Sequence, residues 1–311
     1  MVLNEVEVTQ RRVLTDAIEE FTLSPVDGQP LASFTPGAHI TVETPSGAMR
    51  RYSLINEGAA PTNYVIALKR EPRSRGGSAS MHDAAIVGHV LRIEPPQNDF
   101  ELVPAPDYLL IAGGIGVTPI LSMARHLSKN GTHFEVVYCS RSPEEAAYLD
   151  ELKDMGDHVT VHHDHGDFDQ MFDFWDHFEK PRPTHVYCCG PAALMEEIKA
   201  LCGHWPEGRV HFEDFKPVEV IKDDDTAFKV TLKDSGKTIE VPSDLTILEA
   251  LRAAGVPTVS SCESGTCGTC KCGLVEGEAD HRDMVLMDHE KTDKIMICVS
   301  RAKSPELVLD L

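Results

Sequence analysis

Cysteines at positions 262, 267 and 270, with a fourth at 298, constrain this chain more than any other feature. The first three lie in Cys262-Glu-Ser-Gly-Thr-Cys267-Gly-Thr-Cys270, so a single loop must aim three thiolates at one point while a distant residue closes the other side. Gly265 and Gly268 interrupt the loop; glycine reaches backbone angles closed to other residues, which lets amide N–H groups turn inward toward the sulfurs. The N-terminus, Met1-Val2-Leu3-Asn4-Glu5, lacks the basic and apolar regions of a secretory leader, and no run of about 18 apolar residues occurs. The chain therefore reads as cytoplasmic and not membrane-bound. Thiols stay reduced there and disulfides are rare, so nine cysteines point to metal or redox ligands beside buried bystanders.

The four-residue and two-residue gaps with a distant fourth cysteine match plant-type [2Fe–2S] spacing, which makes Cys262, Cys267, Cys270 and Cys298 the candidate ligands. The alternative is zinc, which also takes four thiolates but draws them from two C-x2-C knuckles. Cys272 falls outside the spacing and reads as a thiol near the cluster that does not bind it.

A chain of 311 residues has room for two or three domains. The sequence carries 29 basic and 50 acidic residues, a net charge of −21, and a polyanion such as nucleic acid is disfavoured as a partner. Its first part alternates short apolar runs with Gly, Pro and Asp/Asn turns: Val6–Leu14, Ile18–Leu23, Ala38–Glu43, Arg50–Ile55, Tyr64–Lys69 and His89–Ile93. That rhythm predicts an antiparallel barrel or sandwich. After Pro104 the texture changes. Tyr108–Ala112 is continuously apolar, as a parallel strand buried on both faces must be, and glycines and a helix at Pro119–Ser128 follow. Strands at Phe134–Cys139 and His185–Cys188 and a helix at Ala192–Cys202 complete a doubly wound α/β pattern. Lys216–Thr226, charged and proline-containing, reads as a linker. Strands at Phe228–Leu232 and Lys237–Val241 and a helix at Thr246–Ala254 precede the cysteine loop. The expected domains are 1–103, 104–215 and 227–311, joined by 216–226.

Three further segments suggest anionic ligands. Arg50-Arg51-Tyr52-Ser53 sits on a predicted strand, and Arg75-Gly76-Gly77-Ser78-Ala79-Ser80 sits in a turn before a helix. A guanidinium, bare amides and a helix N-terminus together suit a phosphate, although neither segment is specific alone. Gly113-Gly114-Ile115-Gly116-Val117-Thr118-Pro119 follows a buried strand and opens a helix, where a pyrophosphate could approach the backbone. Cys188-Cys189-Gly190-Pro191 holds the equivalent place on another strand; its thiols read either as packed core or as contacts of a nicotinamide.

In this order, R-x-Y-S, G-G-S-x-S, G-G-x-G-x-T-P, C-G-P and the cysteine loop, the chain resembles the phthalate dioxygenase reductase family along nearly its whole length, as do Pro36–Ile40, His211–Phe215, Asp280–Asp283 and Cys298–Ala302. Vanillate demethylase-type reductases belong to the same group. The resemblance implies an FMN-binding Greek-key β-barrel, an NADH-binding α/β domain and a C-terminal β-grasp ferredoxin domain. It further implies that Arg50, Tyr52 and Ser53 bind the flavin, that Gly77, Ser78 and Ser80 hold its phosphate, and that Ala67 and Lys69 run along the ring. Gly114, Gly116, Thr118 and Cys189 would meet the nicotinamide nucleotide, and Arg141 and Ser142 its adenosine ribose. Phe215 would pack near the flavin, with Phe212 close enough to compete for that assignment. No second basic residue accompanies Arg141, so NADH is favoured over NADPH. The implied activity is NADH-dependent electron delivery to a separate Rieske-type oxygenase by a monomeric iron–sulfur flavoprotein. Ser53, Thr118, Cys189 and Phe215 would stand nearest the reacting rings, with no acid–base pair among them. The alternative is a stand-alone flavin or ferric reductase serving diffusible acceptors.

Other features read as structural. His162, His163 and His165 leave a strand toward opposite faces and so cannot converge on a metal. Met284, Met287 and Met296 are expected to fill core gaps, and Trp175 and Trp205 to pack.

Overall fold

A computed structural model describes residues 3–71, 76–206, 208–215, 220–222, 224–260, 265, 268–283, 285–287 and 289–311. The chain divides into two units, Met1–Phe215 and Lys216–Leu311.

The first unit begins with strands β1 (Asn4–Val13), β2 (Ile18–Pro25), β3 (His39–Glu43), β4 (Met49–Ser53) and β5 (Tyr64–Lys69), then helix α1 (Gly77–Ala84) and strand β6 (Val90–Ile93). They form an antiparallel sheet in the order β4-β3-β6-β1-β2-β5. Beyond β4, the Ile55 N–H donates to Val65 O on β5 at 3.0 Å, which brings the two edges of the sheet together. Period-two burial drives the curl: Val6, Val8, Phe21, Leu23, Ile40, Val42 and Ile66 turn inward and are fully buried. Each such side chain contributes roughly 1.5–3 kcal/mol.

The same unit continues with β7 (Asp107–Gly113), α2 (Val117–Asn130), β8 (His133–Ser140), α3 (Leu149–Asp154), β9 (Val159–His163), α4 (Trp175–Phe178), β10 (His185–Cys189), α5 (Ala192–Leu201) and β11 (Val210–Glu213). All strand pairs are parallel, in the order β11-β10-β7-β8-β9. The central strand β7 is buried from Tyr108 to Gly113, as its unbroken apolar run requires. The sequence pattern does not announce β9 or β11. Both are edge strands whose residues are mostly half-buried, so they carry neither a clean alternation nor an apolar run.

The second unit contains β12 (Phe228–Leu232), β13 (Thr238–Val241), α6 (Ile247–Ala253), β14 (Lys271–Glu276), β15 (Ala279–Asp280), β16 (Lys294–Met296), β17 (Arg301–Ala302) and β18 (Glu306–Asp310). Its mixed sheet runs β13-β12-β18-β14-β16, with β15 and β17 paired separately. Thr246 starts α6 with a capping box: its hydroxyl accepts from Glu249 N, and the Glu249 carboxylate accepts from Thr246 N. Val220 is buried in this unit's core, and Arg282 donates to its carbonyl at 2.6 Å. Asp225 accepts two bonds from Arg282, at 2.5 and 2.8 Å, and faces the buried Arg301 at 3.3 Å. The described part of 216–226 is therefore held by unit two rather than hanging free between the units.

Two expectations change. Met296 is buried, but Met287 is 66% exposed because it lies on the surface loop before residues 290–292; Met284 lies outside the described residues. Trp205 packs, its indole N–H donating to Phe178 O at 3.1 Å, while Trp175 is 54% exposed at the first residue of the short α4. The histidines separate as expected: His162 bonds Gln170 O, and His163 meets Ser140 Oγ at 2.8 Å. Among the described residues no helix is long and apolar enough to cross a membrane.

Candidate cofactor sites

The candidate phosphate site lies at the start of α1. Gly76 precedes it at φ 86°, a left-handed angle that favours glycine, and the first turn contains no acidic side chain. A Cβ on Gly77 would lie 3.0 Å from Arg50 Nε, so a bare glycine lets the guanidinium lie against the helix N-terminus. A cation and a helix dipole at one place suit an anion. Ser78 Oγ accepts from Glu71 N at 3.1 Å. Ser80 differs from its expected role, because its hydroxyl donates to Gly77 O at 2.9 Å and accepts from Ser46 N at 3.2 Å. It braces the turn. Arg75 lies outside the described residues.

Deeper along β4, the Tyr52 hydroxyl and Ser53 Oγ are buried and have no hydrogen-bond partner among the described residues. Burial raises the Tyr52 phenol above its ordinary range, so it stays protonated. Orphaned buried hydroxyls are costly, at about 1–3 kcal/mol each, and their retention fits a bound polar ring system. Ala67 is buried on β5 and Lys69 half-buried at its end. Beside Ser53 in register stands His39, whose Nδ1 lies 3.0 Å from Arg51 Nη2; Arg51 also holds Asp99 at 2.6 Å.

On the nucleotide side, Gly114 opens a single 3-10 turn at φ 54° and leads into α2. A Cβ on Gly116 would collide with the Cys189 carbonyl, so glycine is what allows the turn after β7 to close on the end of β10. Thr118 is buried, and its hydroxyl donates to Ile115 O at 3.1 Å, which leaves its lone pairs as acceptors for a ligand. Cys189 is fully buried and burial pushes its thiol well up, so it stays neutral. Arg141 is exposed and Ser142 half-buried after β8, and the Ser142 hydroxyl holds the Glu144 carboxyl below its ordinary range.

The strand register places one of the two candidate aromatics. Phe212 pairs with Cys188 and packs among the α5-side residues, with Lys199 Nζ 5.1 Å above its ring. Phe215 lies past the strand end and is 40% exposed. Sequence reasoning missed Glu213, which pairs with Cys189. Its Oε2 has no partner among the described residues, and burial raises its carboxyl from the ordinary 4.5 to about 8, opposed by Arg51 and reinforced by Asp99. A glutamate one step past the apolar pair of an edge strand was its only sequence signal.

In the second unit, Cys270 and Cys298 are buried and their sulfurs approach to 2.9 Å. Two buried sulfurs this close fit ligands of one small cluster. Gly265 at φ 75° and Gly268 at φ 80° adopt the left-handed angles expected of the loop. Cys262 and Cys267 lie outside the described residues. Cys272 is buried and its thiol is pushed up to about 12, as befits a core thiol.

The chain is similar to known proteins along nearly its whole length. Residues 230–303 match the family described as 2Fe-2S iron-sulfur cluster binding domain, and residues 110–200 match the oxidoreductase NAD-binding domain. The phthalate dioxygenase reductase of Burkholderia cepacia is 48% identical over 310 residues, covering 98% of this chain and 96% of that protein. The vanillate O-demethylase oxidoreductase of Pseudomonas sp. (strain HR199 / DSM 7063) is 39% identical over 315 residues, covering 99% of both. A solved phthalate dioxygenase reductase, described as a modular structure for electron transfer from pyridine nucleotides to [2Fe–2S], superposes with a TM-score of 0.89 at 47% identity, covering 99% of this chain and 98% of its own.

Proposed function

The chain belongs to the phthalate dioxygenase reductase family, and from that premise we propose that it is the reductase component of a two-component Rieske aromatic oxygenase. It is an NADH-dependent iron–sulfur flavoprotein oxidoreductase with FMN and a [2Fe–2S] cluster. The names of its relatives point to phthalate-like or methoxybenzoate-like aromatics as the partner's substrates. We read it as a cytoplasmic monomer that binds neither membrane nor nucleic acid. Bound FMN would supply acceptance of an electron pair from NADH and a bound [2Fe–2S] cluster one-electron transfer, which together would make a two-to-one conversion.

The protein's own work is binding and alignment. Arg50 and the amides at Gly77 and Ser78 would bind the flavin phosphate, with Ser80 bracing their turn. Tyr52 and Ser53 would find in the flavin the partners they lack, with Ala67 and Lys69 beside it. Gly114 and Gly116 would admit the nucleotide pyrophosphate, while Thr118 Oγ1 accepts from the carboxamide and Cys189 shapes the pocket as a neutral thiol. Phe215 would cover the ring from solvent. Glu213 would hold a proton at Oε2 beside Cys189, supplying a group that titrates near neutral pH. An ionised Glu144 would repel a 2′-phosphate near Arg141 and Ser142, selecting NADH. Cys262, Cys267, Cys270 and Cys298 would ligate the cluster.

The observation that carries this reading is the pair of orphaned hydroxyls on β4 in a chain that also buries Cys270 beside Cys298. Anaerobic addition of NADH tests it. Flavin absorption should bleach and the cluster's EPR signal should then appear; bleaching with no cluster signal would refute internal transfer.

A further inference from the structure

We propose that Arg125 and Tyr148 are positioning residues, two ties that fix the nicotinamide-binding helix against the flavin-binding strand end; the proposal rests on the reading of the site given above. Thr118 and Arg125 are seven residues apart on α2, two helical turns, and therefore lie on one face. On the barrel side, Ile55 follows Ser53 by two residues and is fully buried. Its N–H is held by Val65 O, and its carbonyl accepts from Arg125 Nη1 at 2.8 Å. One bond thus joins the carbonyl just past Ser53 to the helix that carries Thr118. The rest of the guanidinium is committed to Glu151 on α3, with Nε at 2.6 Å from Oε1 and Nη2 at 2.8 Å from Oε2. Only the planar fork of arginine serves both partners in this geometry.

The second tie sits at the start of α3. Tyr148 adopts φ 60°, a left-handed angle unfavourable for a bulky residue, and is nearly buried. Its hydroxyl donates to Glu20 Oε2 on β2 at 2.8 Å. Glu20 is gripped by Arg12 at 2.8 and 3.0 Å, and the Arg12 guanidinium lies 5.8 Å from the Tyr148 ring centre. In register, Glu20 stands opposite Ala67 of the flavin-facing strand. Backbone strain of this kind persists where surrounding contacts demand it.

Between the ties runs an apolar seam in which Ile55 and Ala67 pack with Leu121, Ala124 and Ala147. Apolar contact is non-directional and does not by itself set a register. Charge-assisted hydrogen bonds do, since their length and angle are narrow. An ångström of slippage along the seam would misalign the reacting rings, and displacement on that scale costs up to about a hundredfold in rate.

Arg125→Met, Arg125→Lys and Tyr148→Phe in the full flavin-loaded chain test the proposal, the last being the variant least able to disturb folding. Stopped-flow flavin reduction by NADH at saturation should slow about tenfold or more for Arg125→Met and a few-fold for Tyr148→Phe, with KM little changed. Arg125→Lys should not restore the rate. The long-wavelength charge-transfer absorption between nicotinamide and flavin should weaken in step, and without NADH amide exchange around Ile55 should quicken. Light-driven flavin reduction, followed by reduction of the cluster, should keep its wild-type rate. Variants whose hydride-transfer rate and charge-transfer absorption stay within twofold of wild type would overturn the ties alone. Wild-type protein whose flavin NADH does not bleach would overturn the functional reading, and the ties with it.

Discussion

In the second unit the candidate ligands are three cysteines of one loop plus Cys298, so sequence spacing alone nearly defines the site. In the first unit Ser53, Thr118, Cys189 and Glu213 come from β4, α2, β10 and β11, and only the folded sheets bring their strand ends into play. The proposed cluster ligands would act through the identity of their ligand atoms. The proposed flavin and nucleotide residues would act through placement, with buried hydroxyls that lack a partner among the described residues and glycines where a Cβ would collide. Charge divides the same way. Residues 104–215 carry 8 basic and 19 acidic side chains, against 12 and 18 in residues 216–311. Acidity is therefore concentrated around the nucleotide sheet and not around the cluster, which leaves the cluster-bearing unit with the weaker repulsion toward an acidic partner. A ligand-defined site should fail outright when one atom changes, whereas a placement-defined site should lose activity by degrees.

The largest effect expected is from Cys298→Ser. Iron and sulfide analysis should show the cluster gone and delivery to an oxygenase abolished, while NADH still bleaches the flavin at the wild-type rate. A variant that kept its iron and sulfide would remove Cys298 from the ligand set. Loss of NADH-driven bleaching as well would break the distinction between the two sites.

Asp225→Asn comes next and probes stability within the second unit alone. The carboxylate is buried between Arg282 and Arg301, and the Arg282 hydrogen bonds hold it at about 2, below its ordinary 3.8. Because the native pKa is the lower one, the native state binds fewer protons than the unfolded chain. Its contribution is complete above about pH 4 and disappears as pH falls through 2. A shift of that size corresponds to about 2 kcal/mol of stability. Urea unfolding followed by cluster absorption should show this loss at pH 7, shrinking toward pH 2. An unchanged midpoint at pH 7 would mean that Asp225 does not clamp the segment from Val220 to this unit.

Legibility in the sequence followed the same division. The strands Tyr64–Lys69 and Phe228–Leu232 have the bounds their alternation predicts, and β7 exceeds its apolar run by one residue at each end. Interior strands and barrel strands advertise themselves because one or both faces must be apolar. Edge strands β9 and β11 do not, and with β11 went the placement of Glu213, although the stretch His211–Phe215 was conspicuous. The position of Ser80 in a Gly-Ser turn suggests a phosphate ligand. Its hydroxyl instead closes on Gly77 O and Ser46 N, a partnership that depends on where the β3–β4 hairpin lies. The opposite case is Ser53, whose sequence signal was weak and whose burial without a partner is the strongest feature of its strand.

The smallest effect is expected at Glu213, the group that only the fold reveals. Here the sign is opposite to that of Asp225. Burial raises the native pKa from 4.5 to about 8, so between those values the folded chain keeps a proton that the unfolded chain has released. Stability therefore falls as pH rises from about 4.5 to about 8 and is level beyond. Glu213→Gln imitates the protonated form and should flatten that slope. Relative to wild type, the variant should gain nothing at pH 4.5 and progressively more up to about pH 8, read as a widening gap between urea midpoints monitored by flavin release. A gap that stayed constant across the range would mean that Glu213 is ionised in the native protein. The pH dependence of NADH-driven bleaching should then also be insensitive to the substitution. If the gap widens while the bleaching profile near pH 8 is lost, the placement of one buried proton, unlike the identity of a cluster ligand, tunes the first unit's chemistry by degrees.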